Sequence, residues 1–126
     1  MNFRHSTFLT ISAVIIAVLG GCGDPKYHAP PIAVTFSTEY PPPTALATGA
    51  TSGIAAIISN GPESASITFT CAPAGHCGTF GPDPVASNVP TTYEAPATIP
   101  AGNTVTVTAT SVTDPTKFVS APITID

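Results

Sequence analysis

Cys71, His76 and Cys77 form the tightest cluster of reactive side chains in the chain, within Cys71-Ala72-Pro73-Ala74-Gly75-His76-Cys77. Two thiols and an imidazole at this spacing admit two chemistries. One is a soft-metal site, in which thiolate sulfur and imidazole nitrogen are suitable donors, but no fourth ligand lies nearby. The other is a disulfide: Ala72 to His76 can turn the chain so that the cysteines face each other from neighbouring strands, within the ~4.4–6.8 Å Cα reach of a cystine. Hydrolytic catalysis asks instead for a histidine beside an activated Ser or Cys and an orienting acid. His28 and His76 are the histidines to consider, yet His28 sits among prolines, His76 at a hairpin tip, and no Gly-x-Ser-x-Gly stretch is present. The acids Glu39, Glu63, Asp83, Glu94, Asp114 and Asp126 are scattered, whereas glycoside hydrolysis needs two carboxylates at a fixed separation in a cleft. Asp83 or Asp114 could contribute to a loop calcium site, which wants six or more oxygens. Asp114 beside Pro115 is more simply a turn former. Tyr93 is either a ligand-stacking ring or a buried tyrosine anchoring a loop through its hydroxyl.

The third cysteine has a different setting. The segment MNFRHST carries Arg4 and no acid, and an uncharged apolar run follows from Phe8 to Leu19. As a helix, such a run is about 18 Å long, short of a ~30 Å hydrocarbon core, so it suits the centre of a signal peptide better than a permanent span. Leu19-Gly20-Gly21-Cys22 comes next. This resembles the bacterial lipobox, in which an apolar residue and two small ones precede a cysteine that receives diacylglycerol. The resemblance implies cleavage before Cys22, acylation of the new amino group by a fatty acid such as palmitate, and attachment to a membrane by two or three chains, enough for stable anchoring. Gly23 directly after the cysteine, with Asp24 behind it, favours an outer-membrane destination. Export places the remaining thiols in an oxidising compartment, and lipid on Cys22 leaves Cys71 and Cys77 as an even pair. The disulfide is therefore favoured over metal, and closing so short a loop contributes about 2 kcal/mol.

The expected organisation is a leader over 1–21, a lipidated cysteine with a Pro-rich tether over 22–31, and one domain over 32–126. Its composition is unlike that of a typical enzyme: 8% charged residues, 15 Pro, 10 Gly and no Trp. Beyond the leader only Lys26 and Lys117 are basic, too few to displace counterions, so nucleic acid is excluded as a partner. With 43% hydrophobic residues and a net charge of -4, the chain does not have the composition of a disordered one.

Periodicity within the domain is that of strands. IAVTFS (32–37) sets Ile32, Val34 and Phe36 on one side, and Tyr40 to Thr44 breaks the run with three prolines. A second strand is predicted over 51–59, turning at Asn60-Gly61-Pro62. A third covers 67–71 with Ile67, Phe69 and Cys71 aligned, and a short return covers 77–80. GPDPVASNVP reads as loop, and TTYEAP (91–96) as a short strand. TVTVTATS and FVSAPITI, joined at Asp114-Pro115, form a hairpin in which Pro122 marks an edge or bulge. About seven short strands without helical periodicity predict an all-β antiparallel sandwich, preceded by the signal-peptide helix.

These residues also resemble bacterial immunoglobulin-like (BIG) domains, the class found in invasin- and intimin-type surface proteins. The likeness lies in IAVTFS, ITFTCAPAGHCGTF and TTYEAPATIPAGNTVTVTATSVTDPTKFVSAPITI, with Phe69 where Trp is frequent. It implies an immunoglobulin-like fold with no shared catalytic residues and no cofactor, and a role in adhesion, recognition or structure at the cell envelope. Expected partners are the membrane, through Cys22, and a protein or glycan. A passive coat protein, or a small metal-binding protein using the Cys-His-Cys cluster, are the alternatives.

Overall fold

The computed structural model describes residues 28–126. The expected signal-peptide helix, Cys22 and the first part of the expected tether lie outside them. Within them, the clearest alternation produces the longest pairing. β9 (Thr104–Ser111) runs antiparallel to β10 (Phe118–Ile125), from Thr104 opposite Thr124 to Thr110 opposite Phe118. Val105, Val107 and Ala109 point inward and are fully buried, and the intervening threonines face out. The connection is fixed by Asp114, whose Oδ1 accepts the Thr116 hydroxyl at 2.7 Å and the Thr116 N–H at 3.1 Å. Those bonds, with the Lys117 charge, hold the Asp114 carboxyl below the ordinary carboxylate value.

The strands form two layers. β5 (Ser66–Ala72) pairs with β9, and the two-residue β7 (Val85–Ala86) and β2 (Ala45–Leu46) flank the layer in the order β2-β10-β9-β5-β7. Facing it are β1 (Ala33–Phe36), β3 (Thr51–Ile54), β4 (Ala56–Ser59), β6 (Thr79–Gly81) and β8 (Thr91–Glu94). β1 pairs with β4, and β3-β8-β6 are hydrogen-bonded in that order. Taking β3 and β4 as one interrupted strand, this is the ABED-and-CFG order of an immunoglobulin-type sandwich, with β2 as an added edge. Ile54, Ile67, Val107, Ile123 and Ile125 fill the space between the layers without exposure. The buried polar side chains are paired: the Thr91 hydroxyl donates to the Pro82 carbonyl at 2.6 Å, and Ser111 Oγ accepts the Asp114 N–H at 3.2 Å.

Leaving aside β2 and β7, and joining β3 to β4, the ten segments reduce to the seven expected. The departures have local causes. The predicted strand 51–59 breaks at Ala55, where three successive residues, Ile54 to Ala56, are buried and alternation is lost. Ala55 there bonds to the segment after β1, its N–H donating to the Tyr40 carbonyl and its carbonyl accepting from Ser37, both at 2.9 Å. The stretch 81–90, read as loop because of its prolines, contains β7. Next to it Asp83 stands in for a strand: its carboxylate accepts the Phe69 N–H at 2.8 Å and the Thr68 hydroxyl at 2.9 Å. Pro122 does sit on an edge. Thr124 and Asp126 donate outward to the Thr44 and Leu46 carbonyls, so Pro122, in phase with them, turns its donor-less nitrogen to the uncovered part of that border. Prolines also adjoin the other borders: Pro31 precedes β1, Pro82 follows β6, and Pro84 precedes β7.

The sandwich has two poles, about 23 Å apart along β9. The chain enters at one of them, where Ala33 pairs with Ser59 and the Asn60 side-chain amide donates to the Pro31 carbonyl at 3.0 Å. The β9–β10 connection and the segment after β7 share this pole, through Val112 N–H to Ser66 carbonyl and Ser87 N–H to Ala65 carbonyl. The opposite pole gathers 47–50, 72–78, 95–103 and Asp126, linked by Thr48 N–H to Asp126 carbonyl and Gly49 N–H to Pro96 carbonyl.

Candidate functional site

The reactive cluster found in the sequence lies at the pole opposite the chain entry. β5 delivers Cys71 to its end, and the exposed run Ala72–His76 turns back, with the His76 N–H donating to the Pro73 carbonyl at 3.1 Å. Cys71 and Cys77 are joined as a disulfide, with Cα atoms 5.8 Å apart. Their sulfurs are bonded to each other, which leaves no thiolate to join His76 in a metal site. No group of three or more His, Cys, Asp or Glu residues suited to a metal occurs among the described residues.

The base of this hairpin-like turn, which crosses from β5 in one layer to β6 in the other, is clamped by β8, the strand beside β6. Tyr93, central in β8, is fully buried, and its hydroxyl donates to the Cys77 carbonyl at 2.6 Å. Burial raises the Tyr93 phenol above its ordinary value, since the phenolate would lose its water. Of the two roles open to Tyr93, the structure gives the loop anchor. Its ring leans on Phe80 at a centroid distance of 5.1 Å, and Phe80 on Phe69 at 5.6 Å, both tilted. The aromatic chain thus runs from β8 through β6 to β5 across both layers, within the favourable 4.5–7 Å range. Gly78 makes the approach possible. It has φ of +96°, and a Cβ there would collide with the Glu94 carbonyl and the Tyr93 ring.

Around the hairpin stand Ile99, 50% exposed, and the 3-10 turn Ala101–Asn103, closed by Asn103 N–H to Pro100 carbonyl at 2.9 Å. The charged groups of this pole are acids, Glu94 and Asp126. The surface is therefore neutral to acidic, built from small and proline residues, and held by a cystine, a buried phenol and backbone bonds.

No family model, no curated protein and no solved structure matches the chain. Its chemistry is accordingly read from its own residues.

The remaining candidates do not converge. His28 is exposed at the entry pole, at the far end of the sandwich from His76. Asp83 is committed to Phe69 and Thr68, and Asp114 to Thr116, each at a different turn. No pocket opens among the described residues. What the hairpin pole offers is an exposed contour held by the cystine and the Tyr93 hydroxyl. Sequence reasoning identified the cysteines and Tyr93 but missed Gly78 and the structural role of Asp83, which it weighed only as a calcium ligand. The first carried a signal, since a glycine directly after a cystine half suits a positive φ. The second carried none, because its partners are backbone and hydroxyl groups about fifteen residues away.

Proposed function

We propose that this chain is a lipid-anchored protein of the bacterial cell envelope, held through Cys22, whose immunoglobulin-like domain recognises a protein or glycan without catalysis. The observation that carries this reading is the relation of the two poles. The chain enters the sandwich at one end, and the rigid hairpin closed by Cys71 and Cys77 projects at the other, where an anchored domain would meet its surroundings. The lipobox-like Leu19-Gly20-Gly21-Cys22 supports the anchor, and the oxidised cysteine pair is in keeping with export. An outer-membrane destination is part of the proposal.

The test has two stages. Labelled palmitate should be incorporated into the wild-type chain and lost in Cys22→Ser. A photo-crosslinking residue at His76 should then capture a reproducible partner in intact envelopes, while one at Thr108, mid-sheet, should not. Equal empty capture at both positions sinks recognition by the hairpin pole.

A passive coat is the second reading, favoured by the outer face of β5, β9 and β10. There Thr70, Thr106, Thr108, Thr110 and Ser120 form a hydroxyl field, bordered at Thr68 by the Asp83 carboxylate. Loss of a specific adhesion or assembly phenotype on deleting the chain would count against it.

A further inference from the structure

We propose that the entry pole rests directly on the lipid surface of the membrane that carries the anchor, with Phe118 and Val112 seated in its interface. The inference rests on the lipid-anchor reading above and adds a fixed orientation to it.

Exposed apolar side chains are unevenly placed. Five large ones are exposed among the described residues, and three of them, Phe118 at 60%, Val112 at 49% and Val89 at 45%, belong to the entry pole. Phe118 stands opposite Thr110 on the outward side of the sheet, and Val112 is two residues beyond Thr110. The two are thus diagonal neighbours about 7–8 Å apart. Val89 follows β7, its N–H bonded to the Ala86 carbonyl, and Ala86 pairs with Ser66, whose carbonyl accepts from Val112. Phe118 and Val112 therefore adjoin at one end of their layer, and the segment carrying Val89 crosses from there to the facing one, Asn88 N–H donating to the Ala56 carbonyl.

The occupant follows from where the chain comes in. Pro31 is fixed at this pole through Asn60, and the ten residues from Cys22 to Pro31 reach at most about 33 Å. An acylated Cys22 therefore keeps these side chains within a short distance of the headgroups. Aromatic and aliphatic groups on a tethered body partition to such an interface, and a neighbouring lysine can reach lipid phosphate with its stem lying along the apolar layer. Lys117, next to Phe118, is the one Lys or Arg among the described residues. The acids of the pole are Glu63 and Asp114, and Asp114 is turned to Thr116 within its own loop. The opposite pole has Glu94 and Asp126 with no lysine or arginine.

The chain has no tryptophan, which makes a direct test available. Phe118→Trp and Ile99→Trp each place a single indole, one at each pole, and Val112→Trp is a second reporter in case the first variant does not fold. The acylated full chain is reconstituted in phosphatidylethanolamine–phosphatidylcholine vesicles containing brominated acyl chains. Expected is a blue shift and strong loss of emission for Trp at 118 or 112, against water-like, unquenched emission at 99. The Cys22→Ser protein with vesicles gives the solvent-exposed reference. Unquenched emission at 118 and 112 in protein shown by mass to be acylated overturns docking and leaves the anchor standing. Equal quenching at 99 overturns it too. Absence of lipid on Cys22 in the exported protein removes the anchor and docking together.

Discussion

Replacing Tyr93 with Phe deletes one oxygen from the interior and leaves the Cys77 carbonyl without the donor it has at 2.6 Å. Cys77 is only 5% exposed, so that carbonyl loses its partner largely out of reach of water. An acceptor stranded in this way costs about 1–3 kcal/mol. Removing the cystine by Cys71→Ala with Cys77→Ala releases about 2 kcal/mol of loop-closure entropy to the unfolded chain. Independent effects would sum to about 3–5 kcal/mol. They are not independent, because the disulfide holds the carbonyl that the phenol meets. Without it the hairpin base relaxes, the carbonyl gains access to water, and the phenol's contribution shrinks. The triple variant is therefore expected to fall short of the sum by about 0.5–1.5 kcal/mol, in the range of coupled neighbours. Urea unfolding of the four proteins measures this, and Tyr93→Phe alone should lower Tm by about 4–15 °C in a domain of this size. A sum that closes within about 0.3 kcal/mol, or a neutral Tyr93→Phe, would refute the clamp.

The same phenol gives a pH signature. Its folded value is raised by burial, so the folded state keeps a proton that the unfolded state releases, and stability should decline as pH rises above about 10. Tyr93→Phe should flatten that decline in chemical denaturation between neutral and alkaline pH. Gly78→Ala combines a positive φ with a collision on Glu94 and Tyr93, and should cost more than about 2 kcal/mol. Gly75→Ala, at φ of +81° in open space, should cost only about 1–2 kcal/mol, and urea midpoints separate the two. Asp83→Ala should destabilise by about 1–2 kcal/mol through the freed Phe69 N–H, with Asp83→Asn recovering part because its amide oxygen still accepts. Faster amide exchange at Phe69 in Asp83→Ala is the local readout.

How far the sequence foretold this architecture depends on how each segment is buried. β9 and β10 have one wet face and one dry face, so Thr-Val alternation announces both the strand and its orientation. The cysteine pair was legible because its spacing fits one turn, although that turn crosses from β5 in one layer to β6 in the other and does not join paired strands. The run Ile54-Ala55-Ala56-Ile57-Ile58 is apolar throughout, and a continuous run cannot show where pairing passes from β8 to β1. β7 was hidden by the prolines around it, because its ladder is completed by the Asp83 side chain instead of by backbone. The hairpin pole was visible only as residues: its rigidity comes from Tyr93 reaching Cys77, sixteen positions away, and tertiary hydrogen bonds leave no periodic trace.

The prolines along the sheet borders bear on how densely such molecules can stand together. A sandwich of this kind has open ladders at its margins, and a margin with both donors and acceptors free can zip to the same margin of a neighbour and grow a fibril. Like charges often keep neighbours apart, but here only 8% of residues are charged, and repulsion between copies is weak. Pro122 interrupts β10 where its border is uncovered, and Pro31, Pro82 and Pro84 shorten the others. If the domains are anchored side by side as proposed, the missing amide hydrogens hinder their borders from joining into a common strand.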